Sequence, residues 1–369
     1  MPRFAPFLLS LSCLLPTPLL AQEEKPAAYP PAGDRLLVCN KAAHTLSIFS
    51  PLERRELATL PTGQGPHEVA ISPDGAMAVV TDYGAQKPGQ TLTVIDLTLA
   101  AVVRTIDLTM DEVQTDGTRS AKTFLRPHGV QFVAPHRVVV TSEASRRLLL
   151  VDVELGKIER TWTSPQTTMH MVSLSADRTR AAATSIREGS VVFFNLAADG
   201  TASTPPIECA PGSEGLAIDP TTGFTWVGNR AANTLSVVDA STAKVLKTIA
   251  TGDFPFRLTF PTDGKHALVT CAEGGQLQVF DTKTYELVRE ISIHADASEL
   301  SAMPMGVTTD PDGKRAYVAC GRGEFVSVID LEAGKVIDRL PAGKGCDGIA
   351  YARPVVAAPA AAVPARLKG

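Results

Sequence analysis

The chain has 369 residues, with 35 Lys and Arg against 39 Asp and Glu and a net charge of −4. It shows no basic stripe, so nucleic acid is not an expected partner, and 5% aromatic residues give little surface for stacking sugars or bases. The 44% hydrophobic content is ample for a core, and the length by itself would allow two domains.

Met1 to Ala21 reads as a secretory leader. Arg3 supplies the positive start, Phe4 to Leu15 the apolar run, and Leu19-Leu20-Ala21 a small residue before the cut. A spanning helix needs about 20 apolar residues, and Pro16 and Pro18 interrupt this one, so no transmembrane segment is expected. The protein is therefore expected in a periplasm or outside the cell. Ser10-Leu11-Ser12 is a poor context for Cys13 as a lipoprotein cysteine. Residues 22–33 form a Pro/Ala/Glu linker, and residues 353–369 a Pro/Ala-rich tail expected to be disordered.

Between them the chain repeats itself. Arg35 to Leu60 holds three strand signals: Leu36-Leu37-Val38, Thr45 to Phe49 and Glu56 to Leu60. From there each unit opens on a short apolar alternation. The openers start at His67, His128, His170, Glu214, Phe256, Met305 and Asp347. The clearest unit runs from Asp310 to Gly343. Pro311-Asp312-Gly313 sets a tight turn, because Pro fixes φ and Gly tolerates φ > 0. Three β-branched runs separated by turns follow. A period of about 40–45 residues with four strands per unit is the signature of a propeller blade. The last opener has no strands after it, and the first three strands have no opener before them. The two ends therefore complete one blade and remove the open sheet edges. The predicted fold is all-β: a seven-bladed β-propeller of four-stranded antiparallel blades over residues 34–352, expected to be a monomer. Two connections are long, Asp107 to Leu125 and His294 to Met303, and such loops are often functional.

Strand direction places the openers' first residues and the second strands' last residues on one face, the mouth of the central channel. The second-strand ends include Asn40, Asp82, Ser142, Asn229, Cys271 and Cys320. Three of only seven histidines, His67, His128 and His170, occupy one equivalent position in consecutive blades, and Glu214 occupies it in the next. Three imidazoles and a carboxylate converging on a narrow axis suit zinc or a similar borderline divalent metal, which could activate water. Asp82, Asp347 and His294 are candidates for the surrounding shell. The competing reading is that each His caps a carbonyl of a neighbouring blade or lines a wet channel. Tyr83, Asn229, Arg230, Arg257 and Arg322 offer polar groups to a small-molecule ligand or protein at the mouth, and guanidinium suits a carboxylate or phosphate. Arg257 stands inside an opener where most blades have Gly.

Five cysteines remain beyond the leader, without C-x-x-C or C-x-x-C-H, so no covalently attached c-type haem is expected. Cys320 and Cys346 are placed at the mouth on adjacent blades, where a disulfide could form, with Cys271 an alternative partner for Cys320. Gly343-Lys344-Gly345-Cys346-Asp347-Gly348 matches G-x-G-x-x-G but lies between strands, so it fails as a dinucleotide motif. Asp96, Asp152, Asp239, Asp281 and Asp330 recur after the third strand and read as turn formers.

Ser72-Pro73-Asp74-Gly75, Trp226-Val227-Gly228-Asn229, Leu235-Ser236-Val237-Val238-Asp239 and Tyr317-Val318-Ala319 resemble the YVTN family of propeller repeats, over nearly all of the chain beyond residue 33. That resemblance implies an exported propeller binding a ligand or partner at its mouth. Some similar propellers are lactonases, which implies an alternative: a hydrolase or lyase using His67, His128, His170, Glu214 and Arg257 in the funnel. Similarity to haem d1-type propellers implies a third, redox-associated reading with a non-covalent cofactor, for which Trp162 and Trp226 give little support.

Overall fold

The computed structural model describes residues 33–113, 116–198, 200–294 and 300–354, along with Met1. Apart from Met1, the leader, the linker up to residue 32 and the tail from residue 355 lie outside the described residues. Within them the chain forms seven four-stranded antiparallel blades and no helix.

The first blade shows the plan: Pro66–Ile71, Met77–Gly84, Pro88–Asp96 and Ala101–Asp107, paired in that order from the axis outward. The next five blades open with Pro127–Ala134, Val172–Leu174, Ser213–Ile218, Pro255–Thr259 and Pro304–Thr309. Middle strands are covered on both faces and read as apolar runs; every residue of Arg35–Asn40 is buried. Outermost strands face solvent and alternate, as in Lys244–Ala250. The core lies between neighbouring blades. Val139, Leu148 and Trp162 of the second blade, for example, pack on Val172, Ala181, Ala183, Val192 and Phe194 of the third. The five recurrent aspartates are turn formers as expected: Asp96 accepts the amides of Thr98 and Leu99, and Asp281 those of Lys283 and Thr284.

The ring closes as the unpaired ends require. Arg35–Asn40 lies between Thr45–Ser50 and the last strand, Cys346–Ala352, with Leu36 opposite Tyr351 and Val38 opposite Ile349. Asp34 fastens the seam, accepting from the Tyr351 hydroxyl at 2.7 Å and pairing with Arg353 at 2.9 Å. The innermost strands pack so closely that a Cβ on Gly348 would stand 2.2 Å from the carbonyl oxygen of His67 in the first blade. Gly348→Ala is therefore expected to lower stability by about 1–3 kcal/mol through overpacking, read as a lower urea midpoint.

The third blade departs from regularity. Its outermost strand is only Ile207–Glu208, and Gly200–Thr201 pairs in parallel with Lys157–Thr163 of the second blade. The first long connection is a hairpin, Thr109–Val113 with Arg119–Thr123, seated by buried Leu108 and Phe124. In the second, His294 bridges to Ser301, and residues 295–299 lie outside the described residues. Among the described residues no helix is long and apolar enough to cross a membrane.

Candidate metal and ligand site at the channel mouth

The backbone explains why the openers' first side chains meet. A threonine near the end of a second strand donates to the first opener carbonyl of the next blade. Thr81 reaches His128 O at 2.8 Å, Thr141 reaches His170 O at 2.5 Å, and Thr184 reaches Glu214 O at 2.7 Å. The same hydroxyls accept from their own blade's opener, as Thr81 does from the Glu68 amide. Each carbonyl is held between blades, and the side chain is left facing the axis.

His67, His128 and His170 accordingly form a row. Ring centroids are 4.0 Å apart for His67 and His128 and 3.7 Å apart for His128 and His170. All three are buried. Tyr83 stands edge-on to both His67 and His128 at 5.3 Å. The three do not make one metal-capable group with Glu214. They make two: His67 with Glu68 and His128, and His128 with Glu143 and His170, the ligand atoms of each lying within 4.8 Å of one another. These groups could hold a metal ion. Both ring nitrogens of His128 lack a hydrogen-bond partner although they are buried. Burial, together with the charges of His170, His67, Arg257 and Lys41, pushes its pKa well below the usual histidine value, so it stays neutral.

Glu214 corrects the expected ligand set, because its oxygens are already taken. His170 Nε2–H donates to Oε1 at 2.6 Å, Arg257 Nη1 to Oε1 at 2.8 Å, and Arg230 Nη1 to Oε2 at 2.5 Å. Burial opposes its ionisation, but these three cations outweigh it and hold the carboxyl far below the carboxylate range. Burial likewise opposes charge on His170, and Glu214 and Glu143 outweigh it, raising that pKa. Glu214 orients His170, and Nδ1 of the same ring is turned toward Glu143 Oε2 at 3.4 Å.

Arg257 lies deep in the opening strand of the fifth blade and reaches across the axis. Its Nη2 and Nε donate to Glu68 Oε1 of the first blade at 2.6 and 3.0 Å. Glu68 and Arg257 occupy the opener position that is Gly129, Gly215, Gly306 and Gly348 in four other blades. Burial raises the Glu68 pKa, but Arg257 and His67 reverse this and hold it at about 2. Below this plug, toward the turn-bearing face, the channel widens into a cavity of about 470 Å³ lined in part by Val69, Gln131, Arg178, Thr308 and Tyr351.

A basic and aromatic rim surrounds the row. Arg126 and Lys41 lie over the Tyr83 ring at 4.8 and 5.6 Å, and Arg230 lies over Phe254 at 5.1 Å. Lys41 also stands 3.7 Å from Asp347, whose Oδ2 is 3.5 Å from His67 Nδ1. Burial, with Glu143 nearby, pushes the Tyr83 phenol up to about 12. Arg126 and Phe254 hold φ of 56° and 63° where the first, fourth and seventh blades use Gly65, Gly212 and Gly345. Left-handed backbone at bulky residues costs of order 1 kcal/mol or more and concentrates at functional sites.

Other expected positions fall elsewhere. Asp82 and Asn229 are buried knots rather than mouth ligands. Asp82 accepts from the Gly63 amide at 3.0 Å, Thr91 at 2.7 Å and Thr93 at 3.0 Å. Asn229 accepts from Ser213 at 3.0 Å and donates to Thr234 and Ser236. The cause is register: the last side chain of a second strand points between blades, and it is the following residue (Lys41, Tyr83, Glu143, Arg230) that faces the mouth. His294 sits on the second long connection, where its carbonyl accepts from Arg339, and Arg322, in the turn between Arg315–Cys320 and Phe325–Asp330, donates to Ser301 O of that connection rather than facing the mouth. Cys320 and Cys346 are adjacent but are free thiols, as is Cys271. Cys346 Sγ donates to Cys320 O at 3.1 Å, and burial pushes the two pKa values up to about 11 and 12, so neither is a disposed nucleophile. Glu68, Glu143, Lys41 and Arg126 do not stand out as site residues in the sequence alone. Glu68 had a signal, since it interrupts a glycine position, and Glu143 follows directly on Ser142.

No protein-family model and no curated protein matches the chain. Among solved structures it is similar to a functionally unknown protein from Desulfotomaculum acetoxidans, with a TM-score of 0.67 and 16% identity over 87% of this chain and 99% of that one. At that identity the likeness bears on the fold alone.

Proposed function

We propose that this chain is an exported propeller of the YVTN type that binds a small anionic ligand at the mouth of its channel, through a divalent metal held by two histidines and a glutamate. Zinc or a similar borderline ion suits that donor set. The observation that carries the reading is His128: a neutral, buried imidazole with neither nitrogen partnered and ligand-capable neighbours on both sides. Buried polar atoms are rarely left unpaired, and a metal would give a ring nitrogen of His128 its partner. Electrostatics support the anion. Four carboxylates (Glu68, Glu143, Glu214, Asp347) face four cations (Lys41, Arg126, Arg230, Arg257), so a divalent ion leaves the mouth positive, with Lys41 and Arg230 partly exposed at its edge. Export rests on the leader from Met1 to Ala21.

The test is elemental analysis of the natively exported protein, purified without chelators, beside the His67→Ala/His128→Ala/His170→Ala variant. At least one equivalent of metal is expected in the parent, falling at least tenfold in the variant. Parent protein that stays metal-free after reconstitution would overturn the reading.

A lactonase-like hydrolase is the second reading. It is favoured by the small donor sets, two histidines and one carboxylate each, which leave coordination positions for water or a carbonyl, and by Glu143, which is partly exposed. Metal-dependent turnover of lactones or esters, abolished by His128→Ala, would establish it.

A further inference from the structure

We propose that the mouth holds two metal ions, with His128 bridging them as an imidazolate. This rests on the metal reading above and specifies its stoichiometry. The two metal-capable groups have one member in common, His128; neither contains both His67 and His170. One ion placed in either group therefore leaves the other group's histidine and glutamate unused. Two ions use all five side chains, and each takes one nitrogen of His128. That accounts for a feature a single ion leaves unexplained, since both ring nitrogens of His128 lack a partner among protein groups. A single ion would satisfy one nitrogen and leave the other as a buried N–H with no acceptor.

The flanking groups fit the same scheme. Arg257 takes only Oε1 of Glu68, which leaves Oε2 for an ion beside His67 and His128. At the other end, His170 Nε2–H is committed to Glu214, so Nδ1 is the ligating atom, facing Glu143. A carboxylate behind a ligating imidazole fixes its tautomer and raises its basicity. Asp347 stands beside His67 at 3.5 Å, so a carboxylate outside the two groups terminates each end of the row. Assembly is balanced in protons. His128 gives up its remaining ring proton to solvent as its second nitrogen binds an ion, and His170 gives up the proton on Nδ1. Metal binding through such groups releases protons and is weakened by acid.

The test uses the full mature protein, stripped with chelator and dialysed, and titrated with Zn²⁺ alone and with Cu²⁺ alone. Calorimetry and elemental analysis are expected to give two equivalents per chain. Glu68→Gln and Glu143→Gln should each remove one equivalent and spare the other, and His128→Ala should remove or weaken both by at least a hundredfold. Because His128→Ala could fail to fold, the parent protein supplies an independent readout. Its dicopper form should lose most of its electron-paramagnetic signal at low temperature through coupling across the bridge, while the one-copper form of Glu143→Gln keeps the full signal of an isolated ion. A single equivalent in the parent, or two uncoupled copper ions, would overturn the bridge while leaving the metal reading intact. No metal in the parent would overturn both.

Discussion

Arg257→Ala is expected to destabilise the protein by about 3–5 kcal/mol, the cost of removing one partner of a buried ion pair. Arg257 is the only side chain bonding both Glu68 and Glu214 among the described residues, at 2.6 and 2.8 Å. Without it Glu68 keeps, among the described protein groups, only the weaker approach of His67 at 3.6 Å, while its side chain stays largely buried. The first and fifth blades also lose the ion pair that joins them across the axis. Urea midpoints would measure the loss. Because Arg257 holds the Glu68 pKa at about 2, below its unfolded value, this contribution is fully present above about pH 4.5 and fades as pH falls toward 2. The gap between parent and variant should narrow over that window. A second variant separates charge from packing: Arg257→Met combined with Glu68→Gln and Glu214→Gln should recover much of the loss, since a neutral, filled site strands no charge. An Arg257→Ala protein with an unchanged midpoint would show that the bridge contributes nothing to stability.

Asp82→Asn is expected to stabilise the protein by about 2–3 kcal/mol at pH 8, from a pKa displaced by about two units. Burial lifts the Asp82 pKa to about 6 despite bonds from Thr91, Thr93 and Gly63. A carboxyl whose folded pKa exceeds its unfolded one binds its proton more tightly when folded. Stability from this group is therefore lost as pH rises from about 4 to 6, and the penalty is complete above 6. Asparagine removes the charge; its Oδ1 can still accept the Gly63 amide, and its Nδ2 can donate to Thr91 and Thr93, whose hydroxyls then accept instead of donating. The fold already uses that solution: Asn40 accepts the Gly343 amide at 3.0 Å and donates to Thr45 and Ser47, and Asn229 donates to Thr234 and Ser236 in the same way while accepting from the Ser213 hydroxyl. Melting temperatures of parent and variant should coincide near pH 4, diverge as pH rises to about 6, and keep a constant gap above that. A variant less stable at pH 8 would show that the hydroxyls require a carboxylate.

The sequence by itself determined the architecture. Turn residues at fixed offsets and β-branched runs repeat because every blade solves the same packing problem, so the seven blades and the shared closing blade could be counted off directly. It also placed His67, His128 and His170 at one level, because equivalent positions in a closed repeat are equidistant from the axis. What only the tertiary structure decided was which carboxylates stand beside them. Glu214 is level with the histidines, yet Arg230 from the following strand and Arg257 from the next blade take its oxygens, and Glu68 and Glu143 complete the groups instead. The same holds for Asp82 and Asn229, a single residue away from the mouth. A strand turns successive side chains to opposite faces, so one position separates a buried knot from a ligand. The Glu68–Arg257 contact spans 189 residues. It depends on how far the ring brings opposite blades together, a distance set by side-chain packing between all seven sheets rather than by any local pattern.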